Sequence, residues 1–187
     1  MSFSFCRCAA LALALSTVAS SPTAADLAPA GSAHTLCREA DRLDGDEKAA
    51  ALARGLELAG RAVKADPNDA DAHFALFCNL GKRLRHDSPG LGTLSQVRRL
   101  RRSIDRALEL RPDDPNLMAA KGALLVDLPA MLGGDDCEGE RLLRQALALD
   151  ANNRRARAHL ANVDSAGCSD AAIGDQASDQ HRLGDAP

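Results

Sequence analysis

The side chains with chemistry to offer in this sequence are cysteines, histidines and a short acidic run, and their spacing limits what they can do. Cys37, Cys78, Cys137 and Cys168 lie far apart, with no Cys-x2-Cys or paired-histidine spacing that would predict a zinc site. His34, His73, His86, His159 and His181 are dispersed, and none has a nucleophile beside it in sequence. Asp135, Asp136, Glu138 and Glu140 fall at an expected helix start, where acidic residues complement the positive end of the helix dipole. There is no Gly-x-Ser-x-Gly, no phosphate-binding glycine loop and no His-Glu-x-x-His. The expectation is a chain with no catalytic residues, no cofactor and no metal, whose cysteines form disulfides. Four cysteines allow three pairings.

The compartment follows from the start of the chain. Arg7 is followed by Ala9–Ala19, an apolar run broken only by Ser16 and Thr17, and then by the small residues Ser20-Ser21-Pro22-Thr23-Ala24-Ala25. That order predicts a secretory signal peptide over 1–25, cleaved after Ala25 or, second, Ser20. Its apolar core is shorter than the ~20 residues a membrane span needs, so no stable span is expected. Cys6 and Cys8 precede that core, so neither is placed for lipid attachment. A periplasmic or secreted location follows, where disulfides persist. Without Arg7 the chain carries 22 basic and 26 acidic residues, a mildly acidic balance that speaks against general nucleic-acid binding.

The elements that must position these residues are helices. Ala and Leu dominate, aromatics make up 2%, and Trp and Tyr are absent, which favours helix over strand. Residues 26–33 read as a Pro/Gly/Ala linker, and helical patterning begins near His34. Glu47–Ala65 places Leu52, Leu56, Ala59 and Val63 on one face. Further helices are expected over Ala70–Arg85, Leu94–Leu110, Asn116–Leu125, Cys137–Leu149 and Arg154–Val163, separated by turns and Gly/Pro-rich loops. Asp164–Pro187 is polar and aperiodic, and reads as a C-terminal cap and disordered tail.

Three segments align without gaps. Ala62-Val63-Lys64-Ala65-Asp66-Pro67-Asn68-Asp69 matches Ala107-Leu108-Glu109-Leu110-Arg111-Pro112-Asp113-Asp114, and both match Ala146-Leu147-Ala148-Leu149-Asp150-Ala151-Asn152-Asn153. Each joins a helix end, a tight turn and a helix start. The pattern resembles the junction of tetratricopeptide repeats, whose period is ~34 residues. The family's small residue in the following helix has candidates in Gly122 and Ala161. This chain departs from the pattern in three ways. Its offsets are 45 and 39 residues, His73, Met118 and Arg157 stand where a Trp often does, and Ala151 replaces the third proline.

Within that superfamily, RRSIDRALELRPDDP followed by KGALLVDLPAMLGGDDCEGERLLRQALALD resembles proteins related to the T component of TRAP transporters, and also the eukaryotic regulators of microtubule dynamics. The Leu128-Pro129…Gly133-Gly134-Asp135 segment carries most of that similarity, which spans Ala49–Val163.

The resemblance implies an all-α α-solenoid of three to four stacked antiparallel helix pairs over 34–163, with a concave surface lined by the first helix of each pair. Candidates for a partner-binding groove, chosen by helix position, are His73, Phe77, Asn79, Lys82, Met118, Lys121, Arg157 and Asn162. In such an array Cys137 and Cys168 fall at the same end of a helix hairpin, and Cys37 and Cys78 on side-by-side helices, so these are the favoured disulfide pairs. The basic stretch Lys82, Arg83, Arg85, Arg98, Arg99, Arg101, Arg102 and Arg106 reads as a solvated helix face or as a surface for an acidic partner. It lacks the interleaved aromatics of a single-strand nucleic-acid platform. The expected function is an exported, non-catalytic module that binds a protein or peptide in its groove, with self-association left open. The alternative is an accessory or ligand-binding component of a TRAP-type solute transporter, which a preformed apolar pocket would favour.

Overall fold

The computed structural model describes residues 29–87, 92–161, 163 and 168. The stretch expected to be a signal peptide, the first three residues of the expected linker, Asn162 and nearly all of the expected C-terminal tail lie outside the described residues. Among the described residues the chain is helical, without strands: α1 (Pro29–Glu39), α2 (Gly45–Ala65), α3 (Ala70–His86), α4 (Thr93–Leu110), α5 (Pro115–Asp127), α6 (Asp136–Leu149) and α7 (Arg154–Leu160), with single 3-10 turns at Ala40–Arg42 and Ala130–Leu132. None of these helices is long and apolar enough to cross a membrane.

The three aligned segments do the same job in the fold. The backbone N–H of Asp66 closes onto the Ala62 carbonyl at 2.9 Å, that of Arg111 onto Ala107 at 3.0 Å, and that of Asp150 onto Ala146 at 2.8 Å. Three residues later Asp69, Asp114 and Asn153 cap the next helix, their side-chain oxygens accepting from the N–H groups of its first turn. The third turn closes without a proline because the Asp150 carboxylate accepts from Asn152 N–H at 2.9 Å, as Asp66 does from Asn68. The alanines that open each segment, Ala62, Ala107 and Ala146, are buried.

Two ends differ from the sequence reading. The first helix starts at Pro29, inside the stretch expected to be linker. Proline is suited to a first helical position, where no N–H is needed, and Ala30 and Ala33 are buried beyond it. The last helix stops at Leu160, three residues before the expected end at Val163. The polypeptide then brings Cys168 back to Cys137.

Packing runs along the chain. α1 meets α2 and α3, α2 meets α3, α3 meets α4, α4 meets α5, and α5, α6 and α7 pack on one another. The main core joins Leu80 of α3, Leu100, Ile104 and Ala107 of α4, and Leu117, Ala120 and Leu124 of α5. Elsewhere alanine makes the contact surface: Ala33, Ala59 and Ala75 at one interface, and Ala119, Ala146 and Ala156 around Leu143 at another. α5 and α6 approach closely, and a Cβ on Gly122 would stand 2.8 Å from the Gly139 carbonyl oxygen. Both favoured disulfides are present. Cys37–Cys78 ties α1 to α3 with Cα atoms 6.0 Å apart, and Cys137–Cys168 ties the start of α6 to the chain beyond α7 with Cα atoms 5.1 Å apart.

Candidate functional site

The α4–α5 contact is slighter than those of the other consecutive helices, and a cavity of about 510 Å³ opens between α3, α4, α5 and α7. Each helix gives it one face. Phe74, Phe77, Cys78, Gly81, Lys82, Leu84 and Arg85 recur at helical spacing on α3, Thr93, Val97 and Leu100 on α4, Ala120, Ala123, Leu124 and Asp127 on α5, and Arg155 and His159 on α7. Leu128 and Leu132 close the side formed by the α5–α6 loop. After Phe5 the sequence contains two aromatic residues, Phe74 and Phe77, and both line this space. Their rings stack with centroids 6.1 Å apart, and the His34 ring of α1 lies 5.3 Å from that of Phe74.

The α5–α6 loop is held in a shape that admits only glycine at two positions. Gly133 has φ +87°, and a Cβ on Gly134 would fall 1.7 Å from the Leu128 carbonyl oxygen. Backbone bonds from Gly134 to Pro129 and from Asp135 to Leu125 fold the loop back on the end of α5. Arg101 clamps it from α4, donating to the Gly133 carbonyl at 2.7 Å and to that of Leu132 at 3.3 Å. The Leu-Pro…Gly-Gly-Asp motif therefore shapes one wall of the cavity by placing Leu132.

The polar lining is mostly cationic. Lys82 donates to the Cys37 carbonyl at 2.6 Å and pairs with Asp41, so α1 and the turn after it neutralise this charge. On the opposite side His159 Nδ1 lies 3.4 Å from an Asp127 carboxylate oxygen. Arg85 and Arg155 have no ion-pair partner among the described residues. Arg155 lines the cavity from α7 while its side chain stays exposed to solvent, and its guanidinium is held below its usual range by the surrounding protein first and by the nearby Arg85 second, with Asp41 opposing. His34 reports the same field. Burial lowers its pKa most, Arg38 lowers it further, Asp71 opposes, and Arg155 and Lys82 add to the lowering.

The residues chosen from helix position scatter. Phe77 and Lys82 line the cavity. Asn79 is fully buried and staples α3 to α1, its amide nitrogen donating to the carbonyls of Ala33 and Ala75 at 2.9 Å each. His73 bonds the Pro67 carbonyl at 3.0 Å, Lys121 pairs with Asp105 at 3.0 Å, and Arg157 donates to the Ala151 carbonyl at 2.6 Å. Met118 packs on the core around Leu143, and Asn162 lies outside the described residues.

The basic stretch also divides. Arg101 clamps the loop, Arg83 pairs with Asp87 at 3.1 Å, and Arg106 bonds Glu109 and Asn68, while Arg85 reaches the cavity. Arg155 and the α5 lining were not among the chosen residues. The one signal for Arg155 is its place beside Arg154 and Arg157 in α7, and only the docking of that helix selects it. All four described cysteines are bonded in pairs, so none of these four offers a thiolate to a metal. No protein-family model matches this chain, and no curated protein matches it.

Proposed function

We propose that this chain is an exported, non-catalytic binding protein of tetratricopeptide-like build, an α-solenoid of three to four antiparallel helix pairs that takes its ligand in the cavity between α3, α4, α5 and α7. The thrice-repeated turn and the packing of helices on their sequence neighbours support the architecture. The two disulfides support export, since such bonds persist in oxidising compartments.

The observation that carries the functional reading is the cavity itself, which lies within the ~300–1,000 Å³ of small-molecule sites and holds both aromatic side chains of the mature sequence. It favours a ligand-handling component of a TRAP-type transport system over a peptide laid along the groove. The polar residues that would read a peptide, His73, Asn79, Lys121 and Arg157, are already engaged within the chain.

The test uses the neutral apolar dye Nile red with the mature, oxidised protein. Saturable one-to-one binding is expected, together with its loss in Ala123→Phe, which fills the cavity from α5. Absence of saturable binding, or binding that Ala123→Phe leaves unchanged in a folded variant, rejects the cavity as the ligand site.

A further inference from the structure

Granting that the cavity is a ligand site, we propose that its ligand is a single-chain amphiphilic carboxylate, with the alkyl chain against Phe74, Phe77 and the leucines and the headgroup between Arg85 and Arg155. The lining is apolar over most of its extent, so the body of the ligand is a hydrocarbon. Its charge follows from the bookkeeping of ion pairs. Lys82 is matched by Asp41, and Asp127 faces His159. Two guanidiniums remain, both turned to the cavity and close enough for Arg85 to disfavour the charge on Arg155. Both are exposed where they line the cavity, so water screens much of their mutual repulsion, and an anion seated between them gains the attraction of two unpaired cations beside an apolar space. A guanidinium offers a planar fork of N–H donors that matches a carboxylate through two parallel hydrogen bonds. A cationic amphiphile is disfavoured by the same field, and a neutral one leaves both guanidiniums without a partner.

The proposal is tested by titrating the full mature protein calorimetrically with dodecanoate, dodecanol, dodecyltrimethylammonium and butyrate. Dodecanoate is expected to bind one-to-one at least tenfold tighter than dodecanol. That is about 1.4 kcal/mol, and a hydrogen bond to a charged group contributes that much or more. Butyrate, lacking the chain, is expected to bind at least tenfold more weakly than dodecanoate. The double variant Arg85→Gln/Arg155→Gln should erase the preference for dodecanoate and leave dodecanol and the melting temperature unchanged.

Equal binding of the three twelve-carbon probes, unaffected by the double variant, overturns the anion proposal while the Nile red result still upholds the cavity. If Nile red and all four probes fail, both fall together. A full-length variant with Asp170, Asp175, Asp179 and Asp185 changed to Asn supplies a further check. Should it bind dodecanoate when the unmodified chain does not, the acidic C-terminal segment is the anion for these arginines, and the proposal is overturned.

Discussion

Two glycine-to-alanine substitutions in this chain should have opposite signs, and the difference is set by what a single added carbon meets. At Gly60, in the interior of α2, the nearest atom to a new Cβ is a guanidinium nitrogen of Arg99 at 3.9 Å, which is open contact with a movable side chain. Gly60→Ala therefore gains the helix preference of alanine over glycine, up to ~1 kcal/mol. At Gly122, in the interior of α5, the new carbon meets the Gly139 carbonyl oxygen at 2.8 Å and Leu143 Cγ at 2.9 Å, both inside van der Waals contact. The first is backbone and the second belongs to a fully buried side chain at the centre of the α5–α6–α7 core, so neither can step aside. The helices must part, and overpacking of this kind costs ~1–3 kcal/mol. Less the same helix preference, Gly122→Ala should lose up to about 2 kcal/mol, leaving the two variants about 1–3 kcal/mol apart. Urea unfolding of the oxidised protein reads this as a shift of midpoint at constant slope. If Gly122→Ala raises the midpoint as Gly60→Ala does, the close approach of α5 and α6 is wrong, and so is the steric reason for glycine at this repeat position.

Two more outcomes rest on the α1–α3 region. The Cys37–Cys78 bond closes a sequence separation of 41, for which chain entropy assigns about 4 kcal/mol, so Cys37→Ala/Cys78→Ala should lose at least ~2 kcal/mol in the same urea assay. A loss under ~1 kcal/mol would mean that the bond does not restrain the unfolded chain as reasoned. His34 binds its proton less readily in the folded protein than in the unfolded chain, whose value is near 6.5, chiefly through burial and then through Arg38, Arg155 and Lys82, with Asp71 opposing. Its stabilising contribution is therefore full above 6.5 and declines as the pH falls from there toward the lowered folded value. The stability difference between the unmodified chain and His34→Gln should shrink on acidification through that window. An NMR titration placing the His34 pKa above 6.5 would contradict the sign.

What the sequence discloses and what it hides have separate physical causes. The helices and turns are legible because they are local. Asp69, Asp114 and Asn153 cap helices two or three residues away, and Ala62, Ala107 and Ala146 close turns four residues on. The disulfide partners are legible for a related reason. Once successive helices are taken to lie side by side, few cysteine pairs remain within reach.

The site is another matter, since it is made by a departure from regular packing. Were α4 seated on α5 as closely as α5 is on α6, the space between them would close, and Arg85 and Arg155 would have no common cavity to line. Whether a helix pair closes or splays depends on the sum of many contacts and on the glycine-shaped loop that Arg101 holds against α4. Helix position could therefore place Lys82 and Asn79 on the same helix, but not say that one turns to the cavity and the other into the core. The glycines mark the contrast. Gly122 and Gly139 let α5 and α6 meet, while Gly133 and Gly134 shape the loop that holds Leu132 at the cavity wall. One pair closes an interface and the other helps form an opening, so the same residue type carries opposite consequences that only the packed structure separates.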